Sequence, residues 1–94
     1  MLIVVETMSP DEANERGILA WPVSRRGVSR YAWHYDTTET CYLVSGLARI
    51  ETEDGNVEVE AGDLVTLPAG LECVWDIREP IAKHYRLELG EPSS

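Results

Sequence analysis

Basic residues are scarce in this chain. Eight lysines and arginines stand against seventeen acids, leaving a net charge of −9. That balance argues against a nucleic acid or an anionic membrane as partner, because both demand a basic face. Arg25 and Arg26 form the only adjacent basic pair, and two arginines do not make a phosphate-binding stripe. Long apolar runs are missing as well. No segment approaches the roughly 20 apolar residues that a spanning helix needs. The opening MLIVVET is short and has no basic lead-in, so it does not read as a signal peptide. A cytoplasmic location is the expectation that follows. Cysteine is nearly absent, and Cys41 and Cys73 alone make no disulfide framework. No repeat or low-complexity tract is present apart from a short tail, Gly90–Ser94, which is expected to fray. Ninety-four residues also leave no room for a second core. One domain over 1–94 is expected, with its core at about 20–89. So small a core would gain from burial against a second copy, and a homodimer is expected.

What is present is ordinary for a globular protein: 44% hydrophobic and 27% charged residues. LIVVE near the start reads as a strand. SPDEANERG carries a helix start, with Ser9 as N-cap, Pro10 in the first helical position and Glu12 three residues after the cap; Gly17 is the stop. Beyond it, β-branched and aromatic residues recur in short runs between Gly, Pro, Asp and Asn. The runs predict strands at about 28–35, 39–45, 47–53, 56–60, 63–67, 71–77 and 81–88. ARIETEDGNVEVE is the clearest hairpin, turning at Asp54-Gly55. Many short strands and one short N-terminal helix point to an all-β sandwich or barrel.

Two blocks carry a resemblance. Gly27, five residues, Trp33-His34-Tyr35, three residues, Glu39, six residues and Gly46 form the first. Gly62, five residues, Pro68-Ala69-Gly70, two residues and Cys73 form the second. In order and spacing they resemble the two sequence blocks of the cupin superfamily. YDTTETCYLVSG, AGDLVTLPAGLECVW, IAKHYRL and Trp21-Pro22 resemble in particular the small single-domain cupins grouped with the cupin domain of ureidoglycine aminohydrolase. The resemblance implies a jelly-roll β-barrel and, as substrate class, a compact nitrogen-containing compound. It does not by itself fix a reaction, because one barrel serves many chemistries.

The resemblance also implies where a metal would be held, and here the chain departs from it. In the register that Gly27 favours, the four ligand positions hold Trp33, Tyr35, Glu39 and Cys73. Indole cannot ligate a metal. With four residues before the glutamate instead of three, the four positions hold Ala32, His34, Glu39 and Cys73, and the last three are donors that can hold zinc with a water. The reading preferred here is no metal and no cofactor, with His34 facing outward between two inward aromatics.

Strand alternation then sets the pocket. If Glu39 faces in, as its cupin counterpart does, Cys41 does too, and Cys73 shares a face with Trp75. Trp33, Tyr35, Glu39, Cys41, Cys73 and Trp75 would surround a small organic ligand. Glu39 would accept from a hydrogen-donating or cationic group, and the indoles could face a cation. The aromatics equally fit the plain filling of a small barrel, and both cysteines read as inert buried thiols. In the last strand, apolar alternation turns Tyr85 and Leu87 inward and His84 outward; the opposite assignment would bring His84 and Arg86 to the pocket. Three functions are therefore carried forward. The first is a small-molecule-binding cupin, which as an enzyme would act on a ureido or amine compound with Glu39 as general base or acid. The second is a non-catalytic ligand-sensing or accessory module. The third is a metal enzyme on His34, Glu39 and Cys73.

Overall fold

The helix forms where its start signal lies. In a computed structural model that describes residues 1–88, Ser9 Oγ accepts from the Glu12 amide at 3.1 Å and caps α1 (Pro10–Glu15). The Gly90–Ser94 tail and Leu89 lie outside the described residues. Gly17, at φ +79°, ends the helix and opens a single 3-10 turn over Ile18–Ala20. Seven strands make up the rest: β1 (Val4–Thr7), β2 (Val23–Arg26), β3 (Ser29–His34), β4 (Glu39–Thr52), β5 (Gly55–Glu60), β6 (Asp63–Leu67) and β7 (Glu72–Leu87).

Two differences from the sequence-based expectation matter. The strands expected at 39–45 and 47–53 are one strand, β4, and those expected at 71–77 and 81–88 are one strand, β7. Both bend instead of stopping, and they pair with each other along most of their length. Gly46 and Pro80, which end a strand in isolation, here bend two continuous strands. In addition β2, which no separate run predicted, pairs with β7 from Val23↔His84 to Arg26↔Ile81. The hairpin lies one residue earlier than expected: Thr52 pairs with Gly55, so Glu53 and Asp54 form the turn.

The shared strands β4 and β7 carry the chain from one layer to the other. Their ends pair in the order β1-β6-β4-β7-β2, while their other halves pair with β5 and β3. The result is a closed antiparallel β-sandwich, or barrel, of the jelly-roll kind. The bend sits at Gly46. Its φ is +105°, and an added Cβ would strike the Pro80 carbonyl oxygen and come within 2.8 Å of the Ile81 Cα. Only glycine fits there. Pro80, which has no N–H to give, falls at the same irregularity, where pairing passes from Leu47↔Glu79 to Ser45↔Ala82.

The main core fills the space between the layers with residues such as Leu43, Ile50, Val59, Val65, Leu67 and Trp75. A second, smaller cluster lies outside the barrel, where α1 and the 3-10 turn cover Tyr42 and Leu64 with Met8, Ala13 and Ile18. The Tyr42 hydroxyl donates to the Met8 carbonyl at 2.8 Å and ties this cover down. No helix among the described residues is long and apolar enough to cross a membrane.

Candidate functional site

The inner faces of β3, β4 and β7 meet at one end of the barrel. Along β3, Tyr31 and Trp33 share one side, with Tyr31 half-buried but Trp33 still 47% exposed, where an inward ring was expected; Tyr35 follows just beyond the strand and is buried. Their rings step edge to face, with centroids 6.2 Å apart for Tyr31–Trp33 and 6.5 Å for Trp33–Tyr35. Tyr35 is fixed twice. Its backbone donates to Leu71 O and accepts from Gly70 N, and its hydroxyl accepts from the Trp75 indole N–H at 3.0 Å. Trp75, from β7, is 1% exposed and forms the floor. Burial, followed by the nearby Glu39 charge, pushes the Tyr35 phenol well above its ordinary range.

Glu39 enters this apolar floor from the start of β4 and is buried. A lone carboxylate there would be costly, and it is not alone. Lys83 Nζ, from β7, donates to Glu39 Oε2 at 3.1 Å and lies 4.8 Å from the centre of the Trp75 ring. Burial disfavours the Lys83 charge. The neighbouring Cys41 sulfur and the Glu39 carboxylate nonetheless reverse the sign, and the ammonium is held above its ordinary range. The Cys41 thiol is itself pushed up to about 12 by burial, so the contact that counts for the ammonium is its hydrogen bond to Glu39.

Trp33, Tyr35, Glu39 and Trp75 line one cavity of about 80 Å³, together with Tyr31, Arg26, Lys83, Ile77 and Ile81. The structure thus brings four of the six sequence-predicted side chains together. It places Cys41, fully buried, in the core beneath the mouth. Cys73 pairs with Trp33 across β3 and β7, and both line a second groove, so Trp33 borders that groove and the mouth alike. Burial pushes the Cys73 thiol up to about 11. That groove, about 580 Å³ and shallow, runs over Ala32, His34, Glu51, Glu53 and Glu72. It is larger than the mouth, but it is an open surface groove without a buried ion pair, so the mouth is the better candidate site.

His34 faces outward, with its ring nitrogens 3.3 Å from Asp36 and 3.6 Å from Glu72. His84 also lies off the mouth, its Nδ1 2.9 Å from the Trp21 carbonyl oxygen, while Tyr85 packs on the core and Leu87 is exposed. These positions test the fit of a metal. Glu39 is buried at the mouth and already holds an ammonium, while His34 is exposed beside Asp36 and Glu72. Among the described residues, no three His, Cys, Asp or Glu side chains converge to hold a metal ion. The donor set does not fit one.

Sequence reasoning missed Lys83, Tyr31 and Arg26. Lys83 had a signal: it is the only lysine of the chain, and it shares a strand face with Ile81 and Tyr85. A buried glutamate calls for such a partner. Tyr31 also had one, lying two residues before Trp33. Arg26 had none, because its strand was not recognised.

Comparison with known proteins agrees with this architecture. The EutQ-like cupin domain family matches residues 13–85. The chain is similar to a DUF861 family protein from Thermotoga maritima at 42% identity and a TM-score of 0.86, over 93% of this chain and 100% of that one. It is also similar to the Clostridium difficile EutQ protein at 13% identity and a TM-score of 0.62, over 90% of this chain and 66% of that one. A putative ethanolamine utilization protein Q from Salmonella typhimurium matches at 11% identity and a TM-score of 0.62, over 93% of this chain and 69% of that one. At such identities the last two likenesses are of fold alone. Among curated proteins nothing matches.

Proposed function

The chain belongs to the EutQ-like cupin family, and from that premise we propose that it binds a compact, neutral nitrogen compound of the ureido or amide kind at its barrel mouth. The observation that carries this reading is the Lys83–Glu39 pair over Trp75. A ligand amine would look for a carboxylate and an indole face, and the protein's own ammonium already holds both. A ureido group asks for something else. Its N–H groups donate to a carboxylate, and its carbonyl accepts from an ammonium, so an adjacent Glu⁻ and Lys⁺ match it. The likeness to the cupins grouped with ureidoglycine aminohydrolase supports the same substrate class, and it is the ureido member of that class that the charges favour.

If the bound molecule reacts, Glu39 is the proton acceptor and Lys83 the group that steadies charge on the ligand oxygen. An ion-paired carboxylate is suited to take a proton and poorly suited to give one. A second reading, a non-catalytic ligand-sensing module, is favoured by one observation: both thiols and the Tyr35 phenol hold their protons, so the mouth contains no activated nucleophile. A cytoplasmic homodimer belongs to both readings, and a monomeric mass by light scattering at micromolar concentration contradicts the dimer.

A thermal-shift screen of ureides, amides, amines and carboxylates tests the proposal, since a bound ligand stabilises the fold by mass action. Stabilisation by ureides that Glu39→Gln abolishes supports it; stabilisation by amines alone contradicts it. Hits that are also consumed by the wild-type protein and spared by Glu39→Gln favour the enzyme over the sensor.

A further inference from the structure

Two of the four tyrosines are buried, and their hydroxyls are used in opposite ways. Tyr42, in the outer cluster, donates its proton to the Met8 carbonyl at 2.8 Å. Tyr35, 4% exposed, accepts from the Trp75 indole N–H at 3.0 Å. Among the described residues, no group takes the proton that the Tyr35 hydroxyl itself has to give. Glu39 lines the same cavity but takes Lys83 instead. A buried donor left unspent is costly, and native interiors hold few of them.

Trp75 sets where that proton can go. Its N–H occupies one side of the Tyr35 oxygen, so the hydroxyl turns its own proton to another. The ring of Trp75 also carries the other donor of the mouth, since Lys83 Nζ lies 4.8 Å from its centre. Tyr35, Trp75, Glu39 and Lys83 line one cavity, which at about 80 Å³ is roomier than a single water needs. Burial, followed by the Glu39 charge, raises the phenol far above its ordinary range, so it stays a donor throughout the neutral range of pH. The mouth thus holds one carboxylate acceptor and two donors, an ammonium and a phenol. The ammonium is held by Glu39, and the phenol proton is uncommitted.

We infer that Tyr35 is the specificity-determining residue of the mouth, its hydroxyl donating to the carbonyl oxygen of the bound compound. The inference rests on the reading of the mouth as a ligand site and names which of its groups chooses the ligand. A carbonyl oxygen has two lone pairs, so it can accept from Tyr35 and Lys83 together while Glu39 takes the neighbouring N–H. A sulfur in its place accepts weakly, and an N–H there would face two donors with nothing to accept it. The phenol therefore selects oxygen at that position.

The test follows the Trp75 indole N–H signal by NMR while N-methylurea or N-methylthiourea is added to the wild type, Tyr35→Phe and Tyr42→Phe. The two probes carry the same N–H groups and differ in the atom that accepts. The wild type is expected to bind N-methylurea the more tightly. Tyr35→Phe should weaken N-methylurea about tenfold, as the loss of one buried hydrogen bond implies, and N-methylthiourea by no more than about threefold. Tyr42→Phe, which loses an equally buried hydroxyl outside the barrel, should leave both unchanged. Equal weakening of the two probes in Tyr35→Phe gives the hydroxyl a structural role only and overturns the inference. So does unchanged binding of N-methylurea there, or as large a loss in Tyr42→Phe. In the wild type, carbon-13 at tyrosine Cζ gives a reading that needs no variant: N-methylurea should shift the Tyr35 signal saturably and leave Tyr42 still. A Trp75 signal that moves while Tyr35 stays still overturns the inference as well. In all those cases the mouth remains a ligand site; if neither probe moves Trp75 in the wild type, the reading of the mouth falls and the inference with it.

Discussion

Lys83 Nζ lies 3.1 Å from Glu39 Oε2, and the two come from strands whose pairing spans the whole barrel. Each side chain is mostly buried, at 15% and 12% exposed. In such a pair, removal of one partner leaves a charge with little water and no counter-ion, whereas removal of both leaves an apolar gap. Lys83→Met is therefore expected to destabilise the fold by about 3 kcal/mol, and Glu39→Gln with Lys83→Met together by clearly less than the sum of the two single changes. Urea unfolding of the four proteins measures this. Strict additivity would mean that the two groups do not interact.

Gly46 is the tightest point of the fold. A methyl group at its Cα would collide with the Pro80 carbonyl and the Ile81 backbone, and φ is +105°. Gly46→Ala is expected to cost about 3 kcal/mol or to prevent folding. Gly27→Ala, with nothing within 4 Å of its added carbon, should change stability by no more than about 0.5 kcal/mol. Equal effects of the two changes would contradict the bend as described.

Much of this was legible in the sequence, and the exceptions have physical causes. The N-cap at Ser9 and the cupin blocks worked because they depend on local chemistry and fixed spacing. Gly46 and Pro80 were read as strand ends because either residue breaks a strand in isolation; only their contact with each other shows that two long strands bend there together. Trp33, Tyr35 and Glu39 stand at positions that the cupin blocks mark, and Trp75 follows from Cys73 by alternation, which is a property of one strand at a time. The partner of Glu39 is marked by neither, because an ion pair between residues 39 and 83 is a property of the register of β4 against β7. Arg26 was hidden for a similar reason: β2 has only four residues and gains its identity as a strand by pairing with β7.

The cysteines are expected to be silent. Burial raises Cys73 to about 11 and Cys41 to about 12, above the ordinary 9.0. Folding thus favours the protonated thiols. Their contribution is present in full below pH 9 and is lost as pH rises through about 11 and then about 12. Folded protein should resist iodoacetamide at pH 8, and both thiols should react after unfolding in urea. Fast labelling of either thiol in the folded protein would place an activated nucleophile where none is described.

The central claim is that the protein's own ammonium has converted an acidic, aromatic mouth from an amine site into a site for neutral nitrogen compounds. The most direct test follows the Trp75 indole N–H signal by NMR while N-methylurea or methylammonium is added at constant ionic strength. The account predicts a saturable shift with N-methylurea, lost in Glu39→Gln, and none with methylammonium. A saturable shift with methylammonium and none with N-methylurea would contradict it.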